Sequence, residues 1–162
     1  MKQKNDQKQF YTVRGYALLH RENDALTPSM EDYLEMVARL SKDKGYARIG
    51  DLSRALNVQP PSASKMVQKL AELNYLNYEK YGIIELTTKG NELGDYLLQR
   101  HESIEQFLKI IGVTEGVLEE TEKIEHNISE MTMLRIRILV DFMLDDEKRL
   151  KKFLAYLEDN LV

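Results

Sequence analysis

From Thr27 onward the chain sets apolar residues at helical spacing, in blocks separated by short polar or glycine-containing breaks. Thr27-Pro28-Ser29 has the form of a helix start: a hydroxyl that can cap the first N–H groups, then a proline whose missing N–H costs nothing in the first turn. Met30, Tyr33, Leu34, Val37 and Ala38 follow in three- and four-residue steps as one apolar stripe, and Asp32, Glu35 and Arg39 fall on the opposite face. Lys42-Asp43-Lys44-Gly45 ends this first helix. A second, short helix is predicted over Ile49–Leu56. Pro60-Pro61 opens a third, with Ala63, Met66, Val67, Leu70 and Leu73 on its core face. The aromatic and β-branched run from Tyr75 to Thr87, centred on Gly82, predicts a β-hairpin.

A long helix is predicted from Thr88 to about Ile111, stopped at Gly112, with Leu93, Leu97, Ile104, Leu108 and Ile111 as its stripe. The next runs from about Glu115 to Ser129. Met131–Leu144 is apolar nearly all round, which predicts burial on several sides. The last helix carries Leu150, Phe153, Leu154, Leu157 and Leu161. Three helices followed by a hairpin make a winged helix-turn-helix pattern, and everything beyond it reads as helix. The expected division is an extension over 1–26, a first unit over 27–97 and a second over 98–162.

Composition narrows the class. The 162 residues suit one domain or two small ones sharing a core, and 43% hydrophobic residues are enough for a packed interior. No apolar run reaches the roughly 18 residues a membrane helix needs, so no membrane partner is expected. Met1–Gln9 is polar and the apolar stretch after it is broken by Arg14, so no signal peptide is expected. With no cysteine there is no disulfide, thiolate zinc site or thiol nucleophile, which fits a cytoplasmic location. The net charge of −4 hides a split: residues 1–100 carry 15 basic against 13 acidic side chains, and residues 101–162 carry 8 against 14.

That near-neutral first half leaves room for a nucleic-acid partner. The outer face of the third helix presents Ser62, Ser64, Lys65, Gln68 and Lys69. An anchored helix with such a face fits a major groove: lysines meet phosphates, while Ser and Gln reach base edges. Lys80, between Tyr78 and Tyr81 on the hairpin, is placed to lie along the backbone or in a minor groove. The competing reading is a small helical domain whose Lys and Gln are simply solvated.

The second half adds a metal-ligating pattern. Glu122, Glu125 and His126 stand at i, i+3 and i+4, so one helical turn points all three the same way. Asp32 and Glu35 are likewise i and i+3 on the first helix, and His101 borders the apolar face of the long one. Four carboxylates and two imidazoles without sulfur suit Mn(II) or Fe(II) better than a soft metal. Each part has an ordinary alternative, a solvated carboxylate pair or a packed histidine. What singles the set out is that two of the three histidines adjoin turns rich in acid.

Taken together, Thr27-Pro28-Ser29-Met30-Glu31-Asp32-Tyr33-Leu34-Glu35, Gly45-Tyr46-Ala47-Arg48, Ser64-Lys65-Met66-Val67-Gln68-Lys69-Leu70, Tyr78-Glu79-Lys80-Tyr81, Arg100-His101-Glu102 and Ile124-Glu125-His126 resemble the Mn²⁺-responsive branch of the diphtheria-toxin-repressor family, in order and spacing, over about residues 27–150. The resemblance implies a homodimeric, metal-activated repressor of manganese uptake genes that binds palindromic operator DNA. The implied fold class is mainly α: an N-terminal winged helix-turn-helix with a short β-hairpin wing, joined by a long helix to an all-α metal-binding and dimerisation domain. It also implies a binuclear site, with Mn(II) at two ions per subunit, on Asp32, Glu35, His101, Glu122, Glu125 and His126. Iron-responsive relatives carry Met and Cys where this chain has Asp32 and Glu122, although Fe(II) or another divalent ion remains an alternative occupant. The larger iron-responsive members add a C-terminal SH3-like domain, which the resemblance does not extend to here.

Readings from other classes are also defined. A di-metal carboxylate enzyme of ferritin-like type needs Glu-x-x-His on two helices, and the residues three before His126 and His101 are Lys123 and Leu98. No Ser–His–Asp set, phosphate-binding glycine loop or His-Glu-x-x-His is present, so no enzymatic activity is expected. A winged-helix regulator of an organic ligand is the third option.

Overall fold

The computed structural model describes residues 26–79 and 82–160. The extension, apart from Leu26, and Lys80 and Tyr81 of the hairpin turn lie outside the described residues. Helix α1 covers Pro28–Ser41, and the Thr27 hydroxyl accepts the Met30 N–H at 3.3 Å as its cap. It ends where Gly45 takes a φ of 78°, a left-handed conformation that returns its N–H to the Ser41 carbonyl at 2.8 Å. Strand β1 (Ala47–Arg48), α2 (Ile49–Ala55), α3 (Pro60–Glu72), β2 (Leu76–Tyr78) and β3 (Ile83–Leu86) complete the first half. The sheet is antiparallel in the order β1-β3-β2, with Ala47 opposite Ile84 and Leu76 opposite Leu86. β1 was not expected from the sequence, because two residues carry no readable period; it adds a third strand to the predicted hairpin.

Helix α4 runs from Thr88 to Ile110, α5 from Val117 to Glu125, α6 from Glu130 to Leu144 and α7 from Glu147 to Asn160. α5 is shorter at both ends than the expected 115–129. Gly116, with φ 64°, sits just before its start. After Glu125 the chain turns so that the Ser129 hydroxyl can cap α6 through the Thr132 N–H. Among the described residues no helix is long and apolar enough to cross a membrane.

α4 is the member common to both halves. Its Leu97 joins the first core with Leu34, Val37, Leu52, Ala63, Val67, Leu70, Leu76 and Ile84. Further along, its Ile104 and Leu108 pack on Met133, and its Ile110 on Val140 and Met143. Two expectations fail at the edges. Leu73, assigned to the core face of α3, is 41% exposed because α3 has ended before it. The all-round burial predicted for Met131–Leu144 is also not found. Only Met133, Val140 and Met143 are buried, while Met131, Leu134, Ile138, Leu139, Phe142 and Leu144 face outward. The cause is geometric: α4 and α7 cover one side of α6, and nothing among the described residues covers the other.

Two glycines let α4 approach its neighbours. A Cβ on Gly90 would stand 1.9 Å from the Tyr75 carbonyl oxygen, and one on Gly94 would stand 2.8 Å from the Ala38 Cβ. In a helix without such neighbours, Gly→Ala stabilises by about 1 kcal/mol. Here Gly90→Ala is expected to lower stability by about 1–3 kcal/mol through overpacking against backbone, read as a lower urea midpoint; a raised midpoint would contradict this close approach.

Candidate metal centre

The six residues predicted as ligands converge where α1, α4 and the end of α5 meet. Beside its apolar stripe α1 packs on α4, where Ala38 of the stripe sits against Gly94 and Glu35 is only 8% exposed. α1 is therefore covered on two sides, with Glu35 in the interior and Asp32 half-buried at its edge. From α4, His101 comes in at 6% exposure, and from α5 Glu125 at 2%. His101 occupies a core position of its helix, between Leu97 and Ile104 of the stripe. His126 caps α5 with helical dihedrals, so it still points the same way as Glu122 and Glu125 although the helix has ended.

Two overlapping donor sets result. In one, Asp32, Glu122, Glu125 and His126 each offer an atom, all within 4.8 Å of one another; in the other, Glu35, His101 and Glu125 do so. Glu125 belongs to both. His126 Nε2 lies 2.8 Å from Asp32 Oδ1 and 3.7 Å from Glu125 Oε1. His101 Nδ1 lies 3.3 Å from Glu125 Oε2, 3.8 Å from Glu35 Oε1 and 3.9 Å from Glu122 Oε1. Yet Asp32 Oδ1, His101 Nδ1, both Glu125 oxygens and His126 Nε2 are buried without an aligned hydrogen-bond partner. Buried polar atoms are normally satisfied. Oxygen and nitrogen atoms that crowd together in this way, buried and without satisfied hydrogen bonds, fit a divalent cation between them.

The electrostatics express the same crowding. Burial, and then the charge of Glu125, push the Glu35 carboxyl up. Burial again, followed by the charges of Glu125 and Asp32, pushes Glu122 up. The Glu125 carboxylate raises His101 against the opposing effect of burial. The carboxylates of Asp32 and Glu31, in that order, push His126 up to about 10. Without a metal, protons on the imidazoles supply part of the missing positive charge.

Sequence reasoning missed two residues here. Arg100 is buried, and its Nη2 donates to Glu31 Oε2 at 2.8 Å; the same oxygen lies 3.1 Å from His126 Nδ1. The signal for Arg100 was the one that marked His101. Position 100 falls at i+3 from Leu97 on the apolar stripe, where a charge requires a partner. Glu31 gave only the ordinary signal of an acid in a first helical turn.

The second predicted site is on α3. Ala63, Val67 and Leu70 are buried, whereas Ser62, Lys65, Gln68 and Lys69 are exposed and Ser64 is half-buried. The helix thus keeps its polar face free while its inner face is anchored in the first core. Lys80 lies outside the described residues.

Comparison with known proteins matches two family models to the chain. Residues 25–84 match the family described as iron dependent repressor, N-terminal DNA binding domain, and residues 87–154 match iron dependent repressor, metal binding and dimerisation domain. The chain is 49% identical over 126 residues to the HTH-type transcriptional regulator MntR of Geobacillus kaustophilus (strain HTA426), covering 77% of this chain and 89% of the relative. It is 50% identical over 127 residues to the regulator of the same name from Bacillus velezensis (strain DSM 23117 / BGSC 10A6 / LMG 26770 / FZB42), covering 78% and 89%. Among solved structures it resembles that of the manganese regulator SloR, with a TM-score of 0.60 and 30% identity, covering 74% of this chain and 55% of SloR. The chain thus spans a little over half the length of that structure.

The raised pKa of His126 gives a pH signature for the metal-free state. A group whose folded pKa moves from 6.5 to about 10 contributes stability that is complete below pH 6.5 and is lost as pH rises toward 10. In chelator-treated protein, the difference in urea midpoint between the parent and His126→Gln is expected to shrink steadily from pH 6 to pH 10. A constant difference would refute the assignment.

Proposed function

The chain belongs to the iron-dependent repressor family, and on that premise we propose that it is a manganese-responsive DNA-binding regulator that represses manganese uptake genes when loaded with metal. It is a transcriptional regulator, not an enzyme. The observation that carries the metal part is the pair of donor sets sharing Glu125, whose five unpartnered buried atoms come from three different helical segments.

In this reading Asp32, Glu122, Glu125 and His126 hold one cation, and Glu35, His101 and Glu125 a second, giving two per subunit. Divalent cations supply positive charge between carboxylates that otherwise repel. Carboxylate and imidazole donors without sulfur favour Mn(II), with Fe(II) as the alternative, and the resemblance to the manganese regulator SloR points the same way. Asp32 and Glu35 sit on α1, inside the DNA-binding half, while Glu122, Glu125 and His126 sit at α5 in the other half. Drawing these donors together fixes α1 against α4 and α5, and with α1 the orientation of α3. The loaded state must be the one that fits DNA, since equal affinity for all arrangements shifts nothing.

On DNA, Ser62, Ser64 and Gln68 read base edges while Lys65 and Lys69 meet phosphates, with Lys80 of the wing alongside. The outward apolar face of α6 supports a homodimer. Two α3 helices about 34 Å apart then meet successive major grooves of a palindromic operator.

Metal-free protein titrated in parallel with Mn(II), Fe(II) and Zn(II) should gain about 5- to 150-fold in operator affinity with Mn(II); DNA binding that ignores metal would end this reading. The α3 roles separate by salt. Lys65→Ala should weaken binding to all sequences and reduce the salt slope by about 1. Gln68→Ala should instead relax preference at one base position, and identical behaviour of the two variants would refute the assignment.

A further inference from the structure

We propose that Glu31 and Arg100 are positioning residues that fix the tautomer and orientation of His126, so that Nε2 is the nitrogen offered to the metal centre. The inference rests on the metal-site reading above and adds residues that do not themselves touch the cation.

The geometry decides the proton. Glu31 Oε2 lies 3.1 Å from His126 Nδ1 and 2.8 Å from Arg100 Nη2, and Nη2 is 3.5 Å from the same Nδ1. A carboxylate oxygen only accepts and a guanidinium only donates. If Nδ1 carried its lone pair toward Glu31, two acceptors would face each other at hydrogen-bond distance. Nδ1 therefore bears the proton and donates to Glu31, while Arg100 donates to the same oxygen. Nε2 faces Asp32 Oδ1 at 2.8 Å and Glu125 Oε1 at 3.7 Å, so in the metal-free protein it too carries a proton; because Glu31 holds the proton on Nδ1, the proton on Nε2 is the one a cation would displace. A carboxylate behind a ligating imidazole is a recurring device for setting ring orientation and basicity.

Arg100 does two things at once. It holds Glu31 from a site 9% exposed, where a guanidinium would not lie without a partner. Its Nε also stands 3.9 Å from Glu125 Oε2, opposing the negative charge of the carboxylate shared by both donor sets. The three members come from α1, α4 and the end of α5, so the triad spans the same junction as the metal ligands. A charge on α1 thus fixes a ring that belongs to the other half.

The test uses the full chain, with manganese as the probe. Mn(II) affinity, the electron paramagnetic resonance spectrum of bound Mn(II) and the melting temperature of chelated protein are measured for the parent, Glu31→Ala and Glu31→Gln. Glu31→Ala should lose about 10–100-fold in Mn(II) affinity and change the bound spectrum. Glu31→Gln, which keeps an acceptor oxygen, should recover much of that loss. Arg100→Gln should weaken Mn(II) in the same direction where it folds. If the parent binds Mn(II) and Glu31→Ala binds it equally well with the same spectrum, the positioning role is overturned. A lowered melting temperature with unchanged affinity overturns it too, because that is the mark of a merely structural ion pair. Failure of the parent itself to bind Mn(II) overturns instead the metal-site reading on which the inference rests.

Discussion

The interaction on which the rest depends is the burial of carboxylates against one another. Glu35 and Glu125 lie almost out of water, with Asp32, Glu122 and two imidazoles beside them and Arg39 at 2.7 Å from Glu35. Removing charges from water costs several kcal/mol each unless opposite charge and hydrogen bonds replace the solvent. In the metal-free protein Arg39, Arg100 and protonated histidines do part of this. They leave Asp32 Oδ1 and both oxygens of Glu125 without partners. The junction between the two halves is therefore the least satisfied part of the described interior, and it responds most to a cation.

That junction exists because α4 is shared. One helix carries Leu97 into the first core and Ile104, Leu108 and Ile110 into the second set of contacts. Arg100 and His101 stand between these, at the point where α4 passes from one core to the other. Gly94 lets α1 and α4 come close enough for acidic side chains to reach across, and Gly90 brings α4 against the Tyr75 backbone. Packing and chemistry are coupled here: loosening the helix contact would separate the carboxylates, and neutralising the carboxylates would remove a strain on the contact.

Much of this was legible in the sequence. The helices and hairpin follow from periodicity and from strong punctuation at Thr27-Pro28, Pro60-Pro61, Gly45 and Gly112. The six candidate ligands follow from i, i+3 and i+4 spacing together with the matching family motifs. The errors have physical sources. β1 is too short to show a period. The apolar stripe of α1 reveals one buried side of the helix, but not that Glu35 is buried on a second side against α4. Met131–Leu144 was read as buried because hydropathy records that a surface avoids water without saying whether this chain or another covers it.

The sequence by itself determined which segments are helices, which face of α3 stays polar, and which residue types could bind a hard divalent cation. These are local properties, fixed by side chains within a few residues of one another along the chain. Only the tertiary structure decided that Glu125 falls in both donor sets, that Glu31 and Arg100 stand beside His126 Nδ1, and that no described residue covers the apolar face of α6. Such facts depend on distances between residues as far apart as Glu31 and His126, which are set by how α1, α4 and α5 pack rather than by spacing along any one of them.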